Sequence, residues 1–268
     1  MKLKSIFLSL AAFGFMFSAV SCGGSSETAI KNNKLHPFLL SGVYTLHGYG
    51  GGSTYYPYIK QLITAESGSG KFLNQVSEAY EQTFIFPYGT EDKSDYQDAL
   101  ADWWGVENKS DFIETQEELL TGMHQAAYEK VRKAIDENGG ANADITAIDI
   151  NKYDLDEDDA ITDLRFVRDN YNKFSKSGIK AWDITRYVNN VNFAHAADYL
   201  SEDECMKMAN KALVEAQKYY DNWADYFNDF NLGRGFWGGD NSTSFDKVIQ
   251  ELLDKENAYN IYNYISIK

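Results

Sequence analysis

From residue 154 to residue 220 the apolar positions of the chain recur three and four apart. Ile161, Leu164, Val167, Tyr171 and Phe174 form one such stripe. Ala181, Ile184, Val188, Val191 and His195 form the next, and Cys205, Met208, Ala209, Ala212 and Ala216 a third. This spacing is that of an α-helix with one face turned to a core. The punctuation agrees. Acidic residues gather at 154–159, where the helix dipole favours negative charge. Gly178 closes the first segment, and Ser201 with Glu204 has the form of a capping box. The pattern predicts three packed helices near 155–176, 179–199 and 202–220.

Upstream, Phe72, Val76, Ala79, Tyr80 and Thr83 carry the same period, so helices are predicted over 55–65 and 71–86. The run 95–106 reads as helix up to Gly105. Asn108 is placed to cap a helix holding Ile113, Leu119, Leu120 and Met123, and a further helix is predicted over 124–138. Loops fall at 48–53, 86–95 and 137–144. The run PFLLSGVYTLHGY at 37–49 fits a short helix or a strand. In the tail AYNIYNYISIK, Ile261, Ile265 and Ile267 share a parity, which makes it the strand candidate. Three prolines in the whole chain suit helices. The expected fold is mainly α, a single multi-helix globular domain after a lipoprotein signal and flexible tether.

The first 22 residues, MKLKSIFLSLAAFGFMFSAVSC, have a different character. Lys2 and Lys4 precede an apolar run from Ile6 to Val20, too short to span a bilayer comfortably, which is the pattern of a secretory signal. Small residues before Cys22 resemble a bacterial lipobox. The expectation is cleavage after residue 21, lipidation of Cys22, and a tether over 22–36 that begins GGSSE. The remainder divides into an N-terminal helical part, 37–94, and a domain over 95–268. The location implied is the bacterial cell envelope, on the inner or outer membrane, periplasmic or surface-exposed, with the membrane as a partner through the anchor.

Charge narrows the partners. The chain carries a net −15; loss of residues 1–21 removes two lysines and leaves 23 basic against 40 acidic side chains, a net −17. Such a surface argues against nucleic acid. Beyond Cys22 stands one cysteine, Cys205, so no internal disulfide is expected and the thiol reads as a small buried hydrophobe.

Motif chemistry is sparse. Ser67–Phe72 resembles a phosphate loop, but Ala65 stands at its first glycine and Phe72 at its Ser/Thr. Residues 149–160 resemble a calcium loop, but Tyr153, Asp154 and Ala160 occupy positions five, six and twelve, removing a ligand, the turn glycine and the bidentate glutamate. The four histidines show no metal spacing, so neither metal nor cofactor is expected. Asp183 and Arg186 lie three apart, on the same side of one helix. In NLGRGFW, Arg234 stands between two glycines, which would admit a ligand or another helix close to the backbone. Asp183, Arg186 and Arg234 are expected to form one buried or half-buried polar cluster, either a strut between helices or a clamp for a small anion. His195, Trp182 and Trp237 are weaker candidates, His195 chiefly as a core residue.

These segments together resemble the domain of unknown function 1266 family. Its signature, Ala-Trp-Asp-x-x-Arg followed by an apolar helix and Gly-Tyr-Ile-Ser-x-x-Glu, is matched by Ala181, Trp182, Asp183, Arg186, Tyr199, Ser201 and Glu204. Trp223, Gly233, Arg234 and Trp237 match its Trp-Glu-x-Phe…Gly-Arg-x-x-Trp segment, and DWWGV at 102–106 its Trp-Gly-Ile opening. The likeness is closest over 95–240. A second arginine of the family's first motif is Asn192 here, and the usual glycine before Tyr199 is Asp198. The resemblance implies a helical domain in which the two motif arginines approach each other, and it brings no activity. Three functions follow for the whole chain: a non-catalytic interaction or structural module, an enzyme or binding protein for a small anion built on Asp183, Arg186, His195 and Arg234, or an immunity-type protein masking a basic partner.

Overall fold

The computed structural model describes residues 30–238 and 243–268. The expected signal, Cys22 and the start of the expected tether lie outside the described residues. Among the latter the regular structure is entirely helical: α1 (Gly42–Gly48), α2 (Gly52–Leu62), α3 (Gly70–Phe84), α4 (Lys93–Trp104), α5 (Lys109–Thr121), α6 (Met123–Glu137), α7 (Ala160–Asp169), α8 (Lys180–Ala196), α9 (Glu202–Tyr219), α10 (Trp223–Phe236) and α11 (Thr243–Leu252), with short 3-10 turns between some of them. No described helix is long and apolar enough to cross a membrane.

The middle stripe belongs to the hub of the fold. Twelve of the seventeen residues of α8 are buried, so it is covered on nearly every side. α4, α5, α6, α9, α10 and the 3-10 turn His36–Ser41 all pack on it. The capping box of Ser201 and Glu204 starts α9, Asn108 caps α5, and Gly105 closes α4 in the left-handed conformation that glycine favours. A second, smaller core joins Tyr128, Val131 and Ile135 of α6 to Leu164 and Val167 of α7 and Phe236 of α10.

The glycines of NLGRGFW sit inside α10, and their role is packing. A Cβ on Gly233 would lie 2.5 Å from Cβ of Trp182, and one on Gly235 would lie 2.7 Å from the Phe166 ring. Hydrogen at these two positions lets α10 lie directly on α8 and α7.

Two expectations are corrected. The helix near 155–176 is shorter, Ala160–Asp169, because the Asn170 side chain bonds the Phe166 carbonyl at 2.9 Å and turns the chain. The tail is no strand: Ile261–Asn263 is a 3-10 turn. Asn260 organises it, donating to the Leu252 and Asp254 carbonyls at 2.8 and 3.0 Å and accepting the Tyr262 N–H at 3.2 Å. The three isoleucines are nevertheless buried, and the Ile265 and Ile267 carbonyls are held by Trp223 and Gln217 at 2.7 and 2.8 Å.

Candidate functional site

Gly122 explains why a cluster forms at the start of α6. It ends α5 at φ 96° and is at the same time the N-cap of α6, so no side chain is available there to cap the new helix. Asp183 of α8 supplies the missing acceptor. Its Oδ2 receives the His124 and Gln125 backbone N–H groups at 3.1 and 3.3 Å, and its Oδ1 receives the His124 ring through Nδ1. The favour is returned, since the Gln125 side-chain oxygen accepts the Ile179 N–H at 2.8 Å at the start of α8, and Tyr220 Oη accepts the Ala181 N–H at 3.0 Å. The two helix starts cap each other.

Arg186 completes the row from its other end. Its Nη1 lies 3.1 Å from His124 Nε2. A guanidinium can only donate and an ionised carboxylate can only accept, so this geometry assigns the neutral imidazole with hydrogen on Nδ1 and a lone pair toward Arg186. Asp183 and Arg186 therefore share one cluster, as expected, but communicate through His124 instead of bonding directly. Asp183 is 1% exposed while Arg186 is half-buried. The guanidinium lies over two indole rings, 4.0 Å from the Trp104 centroid and 4.8 Å from that of Trp182. No carboxylate comes within 4 Å of it among the described residues.

Arg234 approaches the same place without joining the row. Its guanidinium lies 4.7 Å from the Phe245 ring centroid. Tyr44 stands in reach of both arginines: burial pushes its phenol up to about 12, and the positive charges of Arg186 and Arg234 pull against that rise. Burial in turn holds the Arg186 pKa below the ordinary guanidinium value, opposed by Tyr44 and Asp183.

The remaining candidates divide. Trp182 is at the centre, 8% exposed, with an indole N–H that has no partner. Trp237 is 53% exposed and stands edge-on to His124 at 4.3 Å. His195 is elsewhere on α8, stacked on Phe86 at 4.0 Å, and takes no part. Cys205 is buried against the Val191 carbonyl, and burial pushes its thiol up to about 12. Asp149 of the calcium-loop lookalike caps a 3-10 turn, and its neighbour Asp154 bonds Lys130 at 2.5 Å. Among the described residues no group of three or more His, Cys, Asp or Glu side chains could hold a metal. A cleft of about 670 Å³ lies where residues 30–36 meet 262–268 and is lined by none of these candidates.

Sequence reasoning missed His124, Trp104 and Tyr44, which complete the cluster. A glycine that ends one helix and begins the next was a signal for His124: such a junction needs an acceptor from elsewhere.

The comparisons add relatives. The profile described as "Protein of unknown function (DUF1266)" matches residues 99–265. Uncharacterized protein YbeU of Escherichia coli K12 is 25% identical over 152 residues, 52% of this chain and 56% of YbeU. Uncharacterized protein YbeR of the same organism is 34% identical over 62 residues, 23% of this chain and 26% of YbeR. The chain thus spans about half the length of one curated relative and about a quarter of the other. No solved structure matches it.

Proposed function

The chain belongs to the DUF1266 family, and from that premise we propose that it is a non-catalytic interaction or structural module, held at the bacterial cell envelope by a lipid on Cys22. The observation that supports a non-catalytic role is the use of the Asp183 carboxylate and the His124 ring as buried links between helices. A general base needs a lone pair directed at the proton it removes. Asp183 commits both oxygens to the start of α6, and His124 turns its one lone pair to Arg186. The row fixes the helices and aims Arg186, and both potential bases are buried within it, Asp183 1% and His124 3% exposed.

The anchor rests on the sequence ahead of the described residues, where Cys22 follows a short apolar run and seven mostly small residues separate it from Ile30. Labelling cells with a fatty-acid analogue tests it. Wild type is expected to take the label and Cys22→Ser to lose it; an unlabelled wild type rejects the anchor.

A second reading, capture of a small anion, is favoured by one observation: Arg186 is held in place without a carboxylate within 4 Å among the described residues, and Arg234 acts on the same phenol. Thermal shift with inorganic phosphate and with acetate tests it. The immunity-type reading has the acidic charge alone behind it.

A further inference from the structure

Although α8 is buried over most of its surface, one line of it reaches solvent. Arg186, Asn189 and Phe193 are half-buried and follow one another at helical spacing. At 1.5 Å per residue the line is about 10 Å long. Its surroundings are aromatic along the whole length. At one end Trp104 and Trp182 hold the Arg186 guanidinium, with Tyr44 and Phe245 beyond. At the other end Phe193 meets Tyr88 at 5.0 Å, Tyr96 at 5.5 Å and Trp103 at 6.1 Å. Between them the Asn189 side-chain oxygen accepts from Tyr88 Oη at 3.3 Å, which leaves its two N–H donors for other partners.

Three features set this strip apart from the rest of the surface. Trp103 is 61% exposed, a large apolar surface with no covering element among the described residues. Tyr44 and Tyr88 keep solvent-accessible surface and yet lie deep enough for burial to push both phenols upward. The charge is graded along the line: guanidinium groups stand at the Arg186 end, while Glu91, Asp92 and Asp95 lie around Tyr96 at the other. A ligand fitting this surface needs a flat apolar face for the exposed indole, hydroxyls for Asn189, and one negative group at the arginine end only.

We infer that the Arg186–Asn189–Phe193 strip binds a glycan bearing a carboxylate or phosphate group. The sugar ring stacks on Trp103, its hydroxyls meet Asn189, and its anionic group is drawn to Arg186 with Arg234 nearby. A pyranose offers the C–H face that stacks on an aromatic ring together with a rim of hydroxyls. A uniformly acidic peptide would meet repulsion from the carboxylates around Tyr96. The inference rests on the interaction-module reading above and is independent of lipidation.

The test uses the full-length protein in detergent solution and four probes: oligogalacturonate, a phosphorylated maltooligosaccharide, its unphosphorylated counterpart, and a glutamate oligopeptide. Binding is followed by calorimetry. One or both anionic glycans are expected to bind in preference to the neutral sugar and the peptide, and which of them does so tells carboxylate from phosphate. Trp103→Ala, at an exposed position, is expected to weaken that binding by about tenfold with an unchanged melting temperature, the loss of one stacked ring. Arg186→Gln is expected to abolish the preference for the charged over the neutral sugar. Failure of both anionic glycans to bind, equal or tighter binding of the peptide, or unaltered affinity in Trp103→Ala overturns the inference. A protein that takes the fatty-acid label and binds no glycan rejects this inference alone; one that binds the glycan and takes no label rejects only the anchor.

Discussion

Asp183 brings one carboxylate into the middle of the molecule and surrounds it with three donors. The run from Asp156 to Asp163 does the reverse at the start of α7. There Asp163 is half-buried beside Asp159 and Asp156, and burial followed by those two charges pushes its pKa to about 6. Both regions place acid near a helix N-terminus, where the dipole is favourable. What separates them is the supply of fixed donors. The first region turns a buried charge into a joint between α6 and α8. In the second, each added carboxylate raises the free energy of its neighbours, and Asp163 has no hydrogen-bond donor among the described residues to offset it.

The largest effect expected from breaking this contrast is at Asp183. Asp183→Ala leaves two buried backbone N–H groups and the His124 ring without their acceptor, and should cost about 3–5 kcal/mol. Chemical denaturation measures it, and a loss below about 1 kcal/mol would mean that the cluster is not a strut. Arg186→Ala removes a half-exposed member of the same row. Solvent screens its charge, so the expected loss is smaller, about 1–2 kcal/mol, mostly from the two indole contacts. A loss equal to that of Asp183→Ala would show that the row acts as one unit.

The smallest effect sharpens the other side. The pKa of Asp163 in the folded protein, near 6, lies above its ordinary value of 3.8. Between these two values the native state binds more protons than the unfolded state, so stability falls as pH rises through that window. Asp163→Asn should therefore be slightly more stable than wild type at pH 7, and the difference should vanish as pH drops below about 4. Thermal melts of the pair from pH 4 to pH 7 check the sign; a variant less stable at pH 7 contradicts the repulsion.

How much of this could be read from the residues differs along the chain. The stripes through α8 and α9 and the caps at Ser201 and Asn108 were legible because they are local: period and cap lie within a few residues of one another. The side of α8 that carries Asp183 and Arg186 was legible for the same reason. Their partner was not, because His124 lies 59 residues from Asp183, and periodicity tells which way a side chain faces without telling what it meets. The arginine-flanking glycines left two readings open, ligand or helix, and only the distances to Trp182 and Phe166 decide for a helix. The tail failed on another ground. Its isoleucines are buried with a strand-like parity, but side-chain bonds from Asn260, Trp223 and Gln217 to backbone carbonyls fix a turn where no neighbouring strand is present among the described residues.

The borrowed cap on α6 also bears on the order in which the molecule assembles. Gly122 gives α6 no cap of its own, so its first turn stays frayed until α8 arrives from far along the chain. The local contacts of α6 can form early, but its N-terminus cannot be secured before a loop of nearly sixty residues has closed. The His124 and Gln125 amides are thus a natural clock. In a pulsed hydrogen-exchange experiment they should gain protection together, later than the amides in the middle of α6, and at the moment the hub helix docks.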